Sequence, residues 1–151
     1  MVRFKNRYLL VEVNPEKPIL NYEPYKINPD TLYRAVIKKV QQLHGDFGVA
    51  AVKSGFLAKY CNPQLRIALF RARHGPHKIV ASSLPFVDLI DGKKIVMRSL
   101  YTGATIRNCF KFLIKYQQQK IYTNLDKLKG TPNYEKLCQE FMDVSKIKAM
   151  N

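Results

Sequence analysis

Hydrophobic and polar positions in the first third of the chain predict a strand, a loop and a helix. Residues 4–13 alternate loosely and are rich in Tyr, Leu and Val, as half-buried strands are. Three prolines within residues 14–28 indicate a loop. Asn28 then suits a helix N-cap and Pro29 the first helical position, and we expect this helix to end at Gly45. Its buried stripe consists of Leu32, Ala35, Val36, Val40 and Leu43.

The middle of the chain predicts a hairpin. Residues 49–60 and 65–73 are two extended runs, joined by turn-forming residues at 61–64. Gly55 lies inside the first run, and a glycine there indicates a bulge or a close approach of another part of the chain.

A second helix and a fourth strand follow the hairpin. Residues 74–76, His-Gly-Pro, break the pattern, and helical spacing then begins. Pro85 predicts a kink in this helix or an earlier end. A turn at Asp91 and Gly92 leads into a strand over residues 94–102. The apolar side of the helix consists of Ile79, Val80, Ser83, Leu84 and Val87.

A third helix opens at Gly103 and combines an apolar stripe with a basic row. Arg107, Lys111 and Lys115 recur every fourth residue and so share one side of the helix. The apolar stripe consists of Ile106, Cys109, Phe110, Leu113 and Ile114. Residues 93–125 carry seven basic side chains and no acid. A row of charges on a helix is most often simply a solvated face. Whether this row binds a partner has to be decided from the rest of the chain.

The order strand, helix, strand, strand, helix, strand predicts an α+β fold of the ferredoxin-like βαββαβ type, the topology that RNA-recognition motifs also use. A short helix over residues 132–142 adds to the third helix at the carboxyl-terminal end. We expect one RNA-binding domain over residues 1–125, including the basic helix, and a helical extension over residues 126–151.

Charge indicates a polyanionic partner. Lys and Arg number 26 against 11 acids, a formal net charge of +15 on 151 residues. Solubility of a small domain needs an imbalance of only about 2 to 8 charges. The sequence has no apolar run approaching ~18 residues and begins without a signal-peptide core, so nucleic acid is favoured over a membrane. Cys61, Cys109 and Cys138 have no CxxC spacing, which fits a reducing compartment, and Cys109 is expected in the core.

The expected third strand, over residues 65–73, lacks the signature of an RNA-recognition motif. Phe70 is the only aromatic residue in 65–73, and Arg71 and Arg73 share a face. We therefore expect recognition of a folded RNA through its backbone, with the terminal helices covering the open sheet face.

The sequence offers little support for catalytic or metal chemistry in the protein itself. His44, His74 and His77 could serve a protein ribonuclease, but they lie at a helix end and in a turn, and no cysteine or carboxylate stands at zinc-ligand spacing. Asp88 and Asp91 are at best an incidental magnesium contact. A small phosphate-ester hydrolase on this fold lacks a glycine-rich anion loop. A ribosomal protein or ribosome-assembly factor fits the composition as well as any RNA-binding subunit.

Four separated segments carry a resemblance to a known family. They are MVRFKNRYLL at 1–10, HGDFGVA at 44–50, SLPF at 83–86 and GATIRNCFKFLIKY at 103–116. In this order they resemble the eukaryotic and archaeal ribonuclease P protein component 2 family, the small "processing of precursor" subunit that ribonuclease P and ribonuclease MRP share in eukaryotes. The likeness covers about residues 1–123. Ala104 stands where a second glycine is expected, and the acidic extension of some members is absent.

The resemblance implies a non-catalytic subunit of a ribonucleoprotein that removes the 5′ leader of precursor tRNA, and of a relative that acts in ribosomal RNA processing. It implies that magnesium sits on the RNA and that the protein holds no cofactor. Implied partners are the ribonuclease P and MRP RNA, a TIM-barrel protein subunit and other subunits; contact with the precursor's 5′ end is a further expectation. The implied location is the nucleus, and within it the nucleolus. Arg3, Lys5 and Arg7 alternate and so share one strand face, where they either contact RNA or protect a solvated edge strand. The expected RNA contacts are Arg3, Lys5, Arg7, Lys53, Lys59, Arg66, Arg71, Arg73, Arg98, Arg107, Lys111 and Lys115.

Overall fold

The computed structural model describes residues 4–16 and 27–127, with side chains up to residue 124. The expected helix at 132–142, Arg3 and Cys138 lie outside this range. The elements are β1 (Asn6–Pro15), α1 (Pro29–Lys53), β2 (Leu57–Asn62), β3 (Ile67–Arg73), α2 (His77–Ser83), a 3-10 turn (Leu84–Phe86), β4 (Leu89–Ile90), β5 (Lys93–Gly103) and α3 (Ile106–Lys127).

The sheet has the order β2-β3-β1-β5-β4, and every neighbouring pair is antiparallel. With β1 and β3 in the centre and β5 as the fourth main strand, this is the ferredoxin-like order, so the predicted α+β class is confirmed. Asp91 and Gly92 both have positive φ (49° and 74°) and close the β4–β5 hairpin. Such φ values suit a tight two-residue hairpin turn. The pattern missed β4 because it is only two residues long.

Strand alternation divides the sheet into a core face and an opposite face. Leu9, Val11 and Val13 of β1 belong to the core with Phe70 of β3, and each is fully or almost fully buried. The core face packs on α1 and α2. Phe56 stacks between Tyr33 and Phe70, with ring centroids 5.4 Å apart on each side. Phe70, the aromatic residue of β3, therefore points into the core of the protein.

The first helix is longer than its sequence pattern predicts. Asn28 caps it, since its Oδ1 accepts from Asp30 N at 3.1 Å. At Gly45 the backbone leaves helical geometry (φ 63°, ψ −164°), but the helix resumes and runs to Lys53. The expected strand start at Val49 is therefore wrong, because a short apolar run fits a buried helix as well as a strand.

The second helix ends early, as Pro85 predicts. It stops at Ser83, and Pro85 lies in the 3-10 turn that follows. Ser83 is buried and its hydroxyl donates to the Ile79 carbonyl at 2.8 Å, so the polar residue of the predicted apolar side is satisfied locally.

The apolar stripe of α3 is only partly buried. Cys109 and Leu113 are 1% and 9% exposed, which confirms Cys109 as a core residue. Ile106, Phe110 and Ile114 are 37%, 44% and 57% exposed, so the expectation that Phe110 and Ile114 are buried is wrong. At 3.6 residues per turn the five positions span about 140° of the helix, and only the edge farthest from the basic row is covered.

The chain divides into two compact units, Met1–Phe110 and Lys111–Asn151, with the border inside α3. The expected boundary at residue 125 stays a prediction. Among the described residues no helix is both long enough and apolar enough to cross a membrane.

Candidate nucleic-acid interface

The sheet face turned away from α1 and α2, here called the second face, carries two of the predicted arginines. Arg71 lies opposite Tyr8 in the β1–β3 register, and Arg98 lies opposite Glu12 in the β1–β5 register. Tyr8 and Glu12 alternate with the core residues of β1, so both arginines are on the second face. Arg73, two residues after Arg71, is on the same face, which confirms the shared face predicted for this pair.

Arg71 has an unsatisfied nitrogen. Its Nε is buried and has no hydrogen-bond partner among the described residues. A buried donor without an acceptor costs about 1 to 3 kcal/mol, so an acceptor brought by a partner stabilises the complex by removing that cost. A phosphate oxygen is the acceptor that best matches a guanidinium.

Arg73 is held from two sides. Its Cζ lies 4.3 Å from the centroid of the Phe4 ring, a cation–π contact. Gly55 lies against its stem, because a Cβ built on Gly55 would be 2.6 Å from Arg73 Cγ. The predicted close approach at Gly55 is thus confirmed, although it occurs in the α1–β2 connection and not within a strand.

Gly55→Ala should therefore disturb Arg73 directly. We expect a loss of about 1 to 3 kcal/mol in the free energy of unfolding, as for other overpacked sites, and weaker RNA binding. In an Arg73→Met background the same glycine change should cost no further RNA affinity. Thermal unfolding and RNA titration of the two single variants and the double variant check this, with Ser54→Ala as the control. Additive losses of RNA affinity would show that Gly55 does not act through Arg73.

A cluster of cations, here called the basic corner, lies where β1 begins and β3 ends. It consists of Lys5, Arg7, Arg71, Arg73 and Lys78. Two contacts tie it together: His74 N donates to the Lys5 carbonyl at 2.8 Å, and Arg73 lies opposite Asn6. None of the five has a carboxylate partner among the described residues, whereas Lys39 and Lys94 do, at 3.0 Å from Asp88 and 3.6 Å from Glu16.

Asp88 forms an ion pair with Lys39. The hydrogen bond and charge of Lys39 hold the pKa of Asp88 below its usual range, with a small contribution from Lys38. The described residues contain no group of three His, Cys, Asp or Glu side chains placed to hold a metal ion.

Other predicted residues lie apart from the basic corner. Lys53 ends α1, two residues before Gly55. Lys59 is the extra residue of a bulge in β2, between Ala58 and Tyr60. Arg66 adopts φ 56° in the turn before β3, and its carbonyl accepts from Val13 N at 2.8 Å. Within the basic corner, by contrast, Arg7 pairs with Ala72, so it occupies the core-face row of β1, while Lys5 precedes the strand.

The basic row of α3 is exposed at Arg107, Lys111 and Lys115. The first turn of the helix lies over the second face, because Cys109 Sγ is 3.7 Å from the Tyr8 carbonyl oxygen. Gly103 permits this approach, since a Cβ there would lie 3.1 Å from that sulfur. Burial raises the pKa of the Cys109 thiol and also that of Cys61, so both favour the neutral thiol.

Sequence reasoning missed two exposed aromatic residues, Phe4 beside Arg73 and Tyr60 on the second face. Phe4 is 72% and Tyr60 is 43% exposed, although both stand in runs that predict half-buried strands. Exposed aromatic rings beside arginine are common in surfaces that bind RNA. Aromatic and basic residues alternate in the first ten positions of the sequence, which is a signal of such a surface. The sequence alone does not show that Phe4 contacts Arg73.

Comparison with known proteins agrees with the resemblance. The profile of the Rpp14/Pop5 family matches residues 7–114. The chain is 38% identical over 125 residues to the ribonuclease P/MRP protein subunit POP5 of Bos taurus, covering 80% of this chain and 72% of the relative. It is 35% identical to the human protein of that name, covering 80% and 75%. The fold is similar to a chain in a cryo-EM structure of yeast ribonuclease MRP, with a TM-score of 0.52 and 13% identity over 82% of this chain and 98% of that one.

Proposed function

Because the chain belongs to the Rpp14/Pop5 family, we propose that it is a non-catalytic protein subunit of ribonuclease P and ribonuclease MRP that binds and braces their catalytic RNA. Its activity is then exercised only within the assembly, in removal of the 5′ leader of precursor tRNA and in ribosomal RNA processing. The nucleus, and within it the nucleolus, is the location that follows from this role.

The unpaired basic corner is the observation that carries the proposal. Its five cations lie within a chain of formal charge +15, and none has a carboxylate partner among the described residues. The buried Arg71 Nε has no hydrogen-bond acceptor among the described residues. Phosphate oxygens supply both the charge and the acceptor, and RNA presents them in a row.

The proposed mode is backbone recognition. Phe70, where an RNA-recognition motif would present a ring to a base, is fully buried between the sheet and α1. Arginine and lysine neutralise phosphates and so allow RNA segments to approach one another. In this proposal the RNA supplies the chemistry and holds the magnesium, and the protein lowers the cost of folding that RNA.

A protein partner is part of the same proposal. Phe47 of α1 is 81% exposed and Phe86 of the 3-10 turn is 59% exposed, both in the helical layer away from the second face. Large exposed aromatic residues are typical of protein interfaces. We assign this layer to the TIM-barrel subunit and the second face to RNA. A crosslinker placed at position 47 of the assembled enzyme should capture a protein; capture of RNA alone would contradict the assignment.

Salt dependence of RNA binding tests the function. The purified chain should bind ribonuclease P RNA with a logarithmic salt slope of about 0.9 per neutralised phosphate on duplex-like backbone, and alone it should leave precursor tRNA uncut. Arg107→Ala with Lys111→Ala should lower that slope by about 2, since each surface cation accounts for about 1. Arg34→Ala with Lys38→Ala, on exposed positions of α1, is the matched control. A flat response would mean that protein contacts anchor the chain.

A further inference from the structure

Two histidines at the turn between β3 and α2 form a stacked pair. The rings of His74 and His77 are 5.3 Å apart with an interplanar angle of 18°. Gly75 adopts φ +101°, a conformation that favours glycine, and its N–H donates to His77 Nδ1 at 3.1 Å. This bond requires an unprotonated Nδ1, so the neutral ring carries its proton on Nε2.

The charges that act on this pair are positive. Arg7 reaches His77 from β1, Lys78 from α2, and His74 from the turn itself. Burial is the largest cause that lowers the pKa of His77, followed by these three groups, and a hydrogen bond with the backbone of Arg73 acts in the opposite direction. No acid contributes among the described residues. In the free protein, His77 therefore resists protonation.

We propose that the stacked His74–His77 pair is a proton-linked contact for an RNA backbone phosphate, which extends the RNA surface around the end of the sheet from Arg73 to Arg7. This inference rests on the proposed function. His74 is exposed and His77 half-buried, so the pair can be reached from solvent. A phosphodiester placed here offsets the repulsion from Arg7 and Lys78 and accepts a hydrogen bond from a ring nitrogen.

The sign of the linkage follows from the charges. The bound phosphate favours the charged ring, so the pKa of His77 is higher in the complex than in the free protein. Between these two values the complex holds more protons than the separated molecules. RNA binding then takes up protons, and affinity increases as the pH falls through that window. A pair that only shapes the turn would leave RNA binding without this dependence.

Calorimetry on the full chain with ribonuclease P RNA tests the proposal. Titrations in two buffers of different ionisation enthalpy give the number of protons taken up. We expect proton uptake, and about three- to tenfold tighter binding near pH 5.5 than near pH 7.5, since a shift of one pKa unit is worth tenfold in affinity. His77→Asn should remove most of that dependence, because its amide oxygen still accepts from Gly75 N–H but cannot be protonated.

His44→Asn is the matched control. His44 lies on α1, where its Nε2 is 3.1 Å from Ser82 Oγ, and it is not a member of the stacked pair, so this variant should keep the wild-type dependence. An unchanged dependence in His77→Asn would overturn the proposal. Equal proton uptake from inorganic phosphate at the same phosphate concentration would overturn its assignment to RNA. Absence of RNA binding near pH 7.5, where His77 is neutral, would instead count against the proposed function itself, and the proposal would fall with it.

Discussion

Replacing Arg71 and Arg73 together by methionine is expected to lower the affinity for ribonuclease P RNA about 100-fold. Hydrogen bonds to charged groups contribute about 1.5 to 3 kcal/mol each, and 1.4 kcal/mol is a factor of about ten in a binding constant. Methionine retains an unbranched stem against Gly55, so that packing is kept, and only the exposed cation–π contact with Phe4 is lost. In Arg71 the change also removes a buried Nε that has no partner. The free protein should therefore stay folded, with a melting temperature near that of wild type.

Filter binding or fluorescence anisotropy at one fixed salt concentration measures this loss. Lys94→Met is a control, because its ammonium group already contacts Glu16 and lies away from the basic corner. The pair of arginines would lose its assigned role if the double variant bound as tightly as wild type.

Phe70→Ala is expected to have the largest effect on stability. Phe70 is fully buried and continues the ring stack of Tyr33 and Phe56. Loss of a buried phenylalanine ring costs about 3 to 5 kcal/mol, a large part of the roughly 5 to 15 kcal/mol that stabilises a small domain. Denaturant unfolding measures this loss. We expect a population of unfolded chains near 37 °C.

Phe70→Leu separates stability from RNA contact. It keeps an apolar side chain and should cost less than the alanine, so the chain stays folded. Because the ring faces the helices, this variant should bind RNA as wild type does. Tyr60→Leu, which changes an exposed ring of the second face, is the comparison variant. If Phe70→Leu weakened RNA binding while its fold stayed intact, backbone recognition would be the wrong mode.

Much of the fold follows from periodicity and capping. Asn28 and Pro29 mark the start of α1, and the alternation of strands and helices predicts the ferredoxin-like topology, in which β1 pairs with β3 and β5. The failures have physical causes. Residues 49–53 are apolar enough for either a strand or a helix, and the decision comes from packing of Val52 into the core. The apolar stripe of α3 extends around more of the helix than the rest of the protein covers, so Phe110 and Ile114 stay exposed.

The candidate site was predictable only in part. Alternation along β3 places Arg71 and Arg73 on one face without any structure. It could not show the unsatisfied nitrogen of Arg71 or the ring of Phe4 over Arg73, because both depend on contacts between segments that are distant in the chain. The stacking of His74 on His77 depends instead on the conformation of the turn at Gly75. Charge alone leaves a ribosomal protein as an equal alternative, and the family match, which spans residues 7–114, separates the two.

Recovery of the tagged protein from its own cells tests the central claim most directly. The RNA in the eluate is sequenced, its proteins are identified by mass spectrometry, and the eluate is assayed for cleavage of precursor tRNA. The account predicts ribonuclease P and MRP RNA, a TIM-barrel subunit and removal of the 5′ leader, with recovery of the RNA reduced for Arg71→Met/Arg73→Met. Ribosomal RNA alone, without leader cleavage, would contradict it.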